Sequence, residues 1–183
     1  VFLHPFILPR VFRPTFLEVF GITNLQLGVA FSFYGIVAMM AYFAGGPLAD
    51  RFSARRLMAV ALLATGSGGV VLAGIPSPQS MNILWASWGL STVLLFWAAM
   101  LRATREWGGV SAQGRAYGLL DGGRGLLAAV IASVTVIIFG ALLPTDVASA
   151  TPAQRAAAFR AVIWVFTGVT LVIALLVWVV VPD

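Results

Sequence analysis

The chain has 183 residues, of which 61% are hydrophobic and 9% are charged. Soluble domains carry about 25% charged residues, so this composition excludes an ordinary water-exposed surface and indicates a polytopic membrane protein in contact with the lipid bilayer. The net charge of +5 comes from arginine alone. Because the arginines lie between hydrophobic runs and form no single patch, nucleic acid is not an expected partner.

Residues 1–21 predict the last turns of a truncated helix followed by an external loop, because three prolines in the first 14 residues interrupt a regular helix. An interfacial segment is the alternative. Either Thr23 or Asn24 can cap the helix that follows, since a side-chain oxygen there can accept a free N–H group of the first turn. The chain begins without Met, and we expect it to be a fragment of a longer protein.

Five complete spans are predicted after this segment, at about 25–49, 57–74, 83–101, 116–143 and 158–181. The sequence therefore predicts an all-α fold, a polytopic transmembrane helical bundle with part of a six-helix domain. Gly68 and Gly69 in the second span belong to small-residue patterns that suit close helix packing in lipid. Thr151 followed by Pro152 predicts the start of the last span.

Two charged connections, at 50–56 and 102–115, fall on the same side of the membrane if the five spans alternate. The intervening loop at 75–82 has no charged residue. The excess of arginine predicts that both charged connections are cytoplasmic. Arg10, Arg13 and Arg160 lie on the other side and weaken this bias.

The first charged connection carries a specific pattern. The run at 46–56 resembles motif A of the major facilitator superfamily, G-x-L-a-D-r-x-G-r-R/K, which joins the second and third helices. The run at 113–119 is similar to the start of the fifth helix in that superfamily. The matching residues of motif A are Gly46, Leu48, Asp50, Arg51, Arg55 and Arg56. Two positions depart from it, since Ser53 stands where glycine is usual and Ala54 where arginine is common.

The resemblance implies most of the N-terminal half of a transporter, from the end of helix 1 through helix 6. It implies that Asp50 is a cytoplasmic latch, which engages the positive end of a helix in the missing C-terminal half. Arg51, Arg55 and Arg56 would hold the loop. The alternative is that these charges only fix topology and bind lipid headgroups.

A second set of charges is expected at the inner gate. Asp121 and Arg124 lie three residues apart and can pair on one helix face. Arg124 lies well inside its span, where a charge is expensive and is by default a functional hypothesis. It would contact an anionic substrate, close the inner end, or form a structural ion pair. The predicted inner-gate charges are Arg102, Arg105, Arg115, Asp121 and Arg124, and Glu106 is interpreted as the solvated loop partner of Arg105.

Possible substrate-lining residues are Tyr34, Ser91, Thr92 and Trp97, together with Arg124. Helix packing is the alternative role for the aromatic members. The sequence has no Cys and one His, and no metal site, cofactor site or nucleophile–base pair emerges from it. We therefore expect a protein that is not an enzyme.

The predicted function is secondary active transport of a small solute across the bacterial inner membrane by alternating access, with a possible coupling ion. An organic anion, such as a sugar phosphate or a carboxylate, is favoured because of Arg124. The span after 113–119 lacks the Gly-Pro pattern that the resemblance associates with proton-coupled drug antiporters. Alternatives are a neutral-solute or drug/proton transporter, or, from a different class, a stand-alone membrane scaffold or channel.

Overall fold

The computed structural model describes residues 2–146 and 149–182, and helices make up most of them. Within these residues there is no β-strand, and five helical spans are long and apolar enough to cross a membrane. The helices are α1 (Leu8–Val11), α2 (Arg13–Phe20), α3 (Asn24–Arg51), α4 (Ala54–Ala73), α5 (Pro78–Gly89), α6 (Ala98–Gly108), α7 (Gln113–Ala141) and α8 (Pro152–Val180), with π-helical segments at Leu3–Ile7 and Leu90–Trp97. The prediction of an all-α polytopic bundle is confirmed.

The external loop predicted within 1–21 is wrong. This segment is helical in three consecutive pieces up to Phe20, and Gly21 ends the last piece with a left-handed φ of 60°. Pro9 and Pro14 occupy the first turns of α1 and α2, where a helix has no backbone hydrogen bond to lose. Apolar residues four positions apart along these helices are buried in the hydrophobic core, and they are Leu8, Phe12, Phe16 and Phe20.

The third span differs most from its predicted range of 83–101. It runs continuously over Pro78–Gly108, through α5, the second π-helical segment and α6. It begins early because Ser77 caps α5 and Pro78 occupies its first turn. The predicted charged connection at 102–115 is correspondingly shorter, since α6 continues to Gly108.

The two predicted helix starts have their caps. Thr23 accepts a hydrogen bond from the backbone N–H of Gln26, whose side chain accepts one from the N–H of Thr23. The same reciprocal arrangement joins Thr151 and Gln154 at the start of α8. Asn24, the other candidate cap, instead accepts a hydrogen bond from Arg13.

Glycines permit the closest helix contacts. Helix α3 packs along α5 and the second π-helical segment, while α4 packs along α8. A Cβ atom added to Gly89 would lie 2.5 Å from the carbonyl oxygen of Tyr34, so the backbones of α5 and α3 nearly touch there. On α4, Gly69 faces the side chains of His4 and Thr167, which hydrogen-bond to each other at 3.0 Å. The small residues of α4 thus serve packing, as the sequence indicates.

Replacement of Gly89 by alanine should destabilise the protein by about 1–3 kcal/mol, because the added methyl group meets backbone and cannot be relieved by a rotamer change. Gly28→Ala is the matched control, since a Cβ atom at Gly28 meets nothing within 4 Å. Thermal unfolding of the purified protein in detergent measures both effects. Equal melting temperatures for the two variants would contradict this account of the α3–α5 contact.

Candidate functional site

The motif A connection is a short junction of two residues between α3 and α4. Helix α3 ends at Arg51, Phe52 is extended, and Ser53 caps α4 by accepting a hydrogen bond from the backbone N–H of Arg56 at 3.4 Å. Ser53 has φ −64° and ψ 140°, which any residue can adopt. The turn therefore forms without the positive φ that would require glycine, and the serine at this departure from the motif supplies a cap in its place.

Arg102 ties the third span to the end of α3. Its Nη1 donates a hydrogen bond to the carbonyl oxygen of Ala49 at 2.6 Å, and its Nε donates one to Glu106 at 2.7 Å. The carbonyl of Ala49 belongs to the last turn of α3, where helix carbonyls lack partners within the helix and a cation is favoured. Glu106 therefore pairs with Arg102, and the predicted loop pair with Arg105 is wrong because α6 continues and brings i and i+4 together.

Among the other charged residues of motif A, one packs against a neighbouring helix and three are exposed to solvent. Arg55 lies over the ring of Trp178 in α8 at 5.5 Å, which fixes the start of α4 against the last span. Asp50, Arg51 and Arg56 are exposed. Gly46 and Leu48 lie in the final turns of α3, on either side of Pro47.

A cavity of about 1620 Å³ opens beside this junction. Its wall is formed by the N-terminal segment, the motif A junction, α4, the third span, α7 and α8. Charges line it from the junction towards the middle of the bundle. The charged lining residues are Asp50, Arg51, Arg102, Glu106, Asp121 and Arg124.

Arg124 lies on the cavity wall with three side-chain neighbours. Its Nη2 is 3.5 Å from Oδ1 of Asp121, which confirms the predicted contact on one helix face. Its guanidinium carbon lies 5.6 Å from the ring centre of Trp97 and 5.9 Å from that of Phe2. No sequence pattern predicts a role for Phe2, which lies at the N-terminal end of the chain and is brought to Arg124 by the fold. Trp97, predicted to line the substrate path, contacts the predicted charge directly.

Four of the five predicted substrate-lining residues are outside the described cavity lining, namely Tyr34, Ser91, Thr92 and Trp97. Tyr34, Ser91 and Thr92 are buried between helices. The Tyr34 hydroxyl is 2.7 Å from the Thr92 hydroxyl, and the Ser91 hydroxyl is 3.0 Å from that of Thr65. These contacts link α3 and α4 to the third span and satisfy polar groups that lipid cannot hydrate. Their geometry favours the packing alternative, and a substrate-lining role for them stays a prediction.

The five predicted inner-gate charges are only partly brought together. Arg102, Asp121 and Arg124 share the cavity, whereas Arg105 and Arg115 are exposed and lie outside its described lining. Among the described residues, no group of three or more His, Asp or Glu side chains could hold a metal ion. The arrangement thus offers charged and aromatic binding surface within a membrane bundle.

The helical bundle and the charged junction agree with comparisons to known proteins. A model of the Major Facilitator Superfamily matches residues 6–183, and the chain belongs to this family. It is a multi-pass membrane protein. No solved structure matches it.

Three curated relatives are similar over most of the chain. Inner membrane proteins YqcE and YihN of Escherichia coli are each 28% identical, over 89% and 91% of this chain and 36% and 37% of their own lengths. The uncharacterized protein MG294 homolog of Mycoplasma pneumoniae is 25% identical over 89% of this chain and 36% of its own length. The chain thus spans about a third of the length of the relatives it matches.

The Ser53 cap predicts the order of two substitutions. Ser53→Ala should lower the free energy of unfolding by about 1 kcal/mol, because it removes the side-chain acceptor of the backbone N–H of Arg56 in the first turn of α4. Ser53→Gly, which restores the usual motif residue, should cost only a few tenths of a kcal/mol. Thermal unfolding in detergent measures both. A glycine variant less stable than the alanine variant would contradict the capping role.

Proposed function

We propose that the protein is a secondary active transporter that moves a small solute across the bacterial inner membrane by alternating access. The observation that carries the proposal is the cavity that joins the motif A junction to Arg124, inside a bundle of the Major Facilitator Superfamily. Two of the relatives bear the name inner membrane protein, which supports this location. Rocking of two halves around a central site is the mechanism that such bundles suggest.

Asp50 is proposed as the latch of the cytoplasmic gate. The junction around it is held on two sides, by Arg102 at the carbonyl of Ala49 and by the stack of Arg55 on Trp178. Asp50 itself is exposed on the cavity wall, where its carboxylate can reach a helix N-terminus outside this chain. Such a contact contributes about 0.3–2 kcal/mol, which is small enough for a gate that must open.

The favoured solute is an organic anion. Arg124 presents a cation to the cavity well inside the apolar span, where an unpaired charge is costly. A specific observation supports the neutral-solute alternative, because Asp121 lies beside Arg124 and makes the pair neutral as a whole. A drug/proton transporter and a stand-alone scaffold or channel are the remaining alternatives. A thermal-shift screen of the intact protein with anionic and neutral metabolites separates the solute classes, since a bound ligand raises the apparent stability.

Asp50→Asn should raise the ratio of inward-open to outward-open protein by about 2- to 30-fold, because it removes a latch contact of about 0.3–2 kcal/mol. Ala128→Cys on the cavity wall serves as a reporter, because this chain has no other cysteine; any cysteine elsewhere in the intact protein is first replaced by serine. Labelling of this cysteine by an impermeant maleimide in inside-out vesicles measures the population. Uptake of the screened solute should fall strongly while the amount of inserted protein stays unchanged.

Asp146→Asn is the matched control, because it removes a carboxylate after α7, at the opposite end of that helix from the junction. It should leave the labelling rate of the reporter at the wild-type value. Wild-type labelling and wild-type uptake in the Asp50→Asn variant would refute the latch.

A further inference from the structure

The two aromatic neighbours of Arg124 hold its guanidinium group without occupying its N–H donors. Phe2 and Trp97 attract the cation through their ring faces, at 5.9 and 5.6 Å, and their own rings are 6.0 Å apart. Cation–π contacts use none of the five N–H donors of arginine. The aromatic pair therefore positions the group on the cavity wall and leaves its hydrogen-bonding edges for another partner.

Asp121 interacts only weakly with the N–H donors of Arg124. Its distance of 3.5 Å from Arg124 exceeds the roughly 2.7–2.9 Å of a strong charge-assisted hydrogen bond. The Arg102–Glu106 pair of the same cavity shows the short form, at 2.7 Å. The side chains of Arg124 and Asp121 are 43% and 70% exposed, so solvent screens their attraction.

We infer that Arg124, held by Phe2 and Trp97, binds the carboxylate or phosphate group of the transported solute, and that Asp121 is the counter-ion which this anion displaces. The inference rests on the proposed transport function and adds the binding group and its competitor. The planar guanidinium fork matches the paired oxygens of a carboxylate or phosphate. An anion in this position lies close to Asp121, and repulsion between like charges moves the carboxylate of Asp121 away from Arg124.

The change in anion affinity when Asp121 is made neutral distinguishes this arrangement from a purely structural ion pair. If Asp121 competes with the solute for Arg124, its neutral analogue should bind the anion more tightly. If Asp121 orients Arg124, the same change should weaken binding. If the pair only stabilises the bundle, stability should fall and the affinity for anions should stay the same.

The test uses the intact protein in detergent, with gluconate as the carboxylate probe, glucose 6-phosphate as the phosphate probe and glucose as the neutral comparison. Isothermal titration gives each dissociation constant. Asp121→Asn should tighten binding of one or both anions by about 2- to 5-fold, the fold-change expected from a screened ion pair. Arg124→Gln should weaken the same anion by about 10- to 100-fold, the range for a lost hydrogen bond to a charged group.

Arg124→Lys keeps the charge without the planar fork, and its affinity should fall between wild type and Arg124→Gln. Arg160→Gln is the matched control, because it removes an exposed arginine that lies outside the described cavity lining. It should leave the affinity unchanged. Unchanged or weaker anion binding by Asp121→Asn would overturn the inference, as would failure of both anions to bind the wild-type protein.

These failures are distinguishable from failure of the transport proposal. If proteoliposomes take up a neutral solute and Arg124→Gln transports it at the wild-type rate, transport stands and the anion subsite is refuted. If no solute of the metabolite screen is taken up, yet the anions bind with the predicted pattern, the subsite stands and the transport proposal is refuted.

Discussion

The close contact of α3 with the third span at Gly89 is the constraint on which the rest of the described bundle depends. In a bilayer, apolar surface gains little by leaving lipid, so helix association relies on close packing and on hydrogen bonds between helices. Gly89 lets the backbone approach Tyr34, and the same approach brings the Tyr34 hydroxyl to 2.7 Å from that of Thr92. Packing and hydrogen bonding thus depend on one missing side chain.

Helix α3 and the third span also contact each other at the charged end of the cavity. Arg102 lies on the third span beyond Gly89, and it donates to the carbonyl of Ala49 in the last turn of α3. A shift of α3 along the third span would break this hydrogen bond as well as the one at Tyr34. The position of the motif A junction therefore follows from helix packing deeper in the bundle. This rigidity suits the proposed latch role of Asp50, which requires that its own helix end is held still.

Sequence patterns predicted the spans, the caps at Thr23 and Thr151 and the Asp121–Arg124 contact, because each depends on local spacing or on long apolar runs. They failed for residues 1–21, since a proline reads as a helix breaker unless it is known to occupy a first turn. They also gave Tyr34 and Thr92 as possible substrate-lining residues without showing what these side chains face. A hydroxyl that faces a cavity and one that faces a neighbouring helix follow the same periodicity. Only the fold distinguishes them, and only the fold brings Phe2 to Arg124.

Hydroxyl groups and charged groups in this bundle find their hydrogen-bond partners in different ways. Hydroxyl groups such as those of Ser91 and Thr65 pair with each other between helices, where each partner removes the cost of the other. Six charged side chains line the cavity, where water can reach them. Arg124 is the charge farthest into its span among these, and neither solution serves it fully, because its ion pair is long and its aromatic neighbours leave its donors open. A cation with open donors can bind an anion, whereas Arg102 already donates to Ala49 and Glu106.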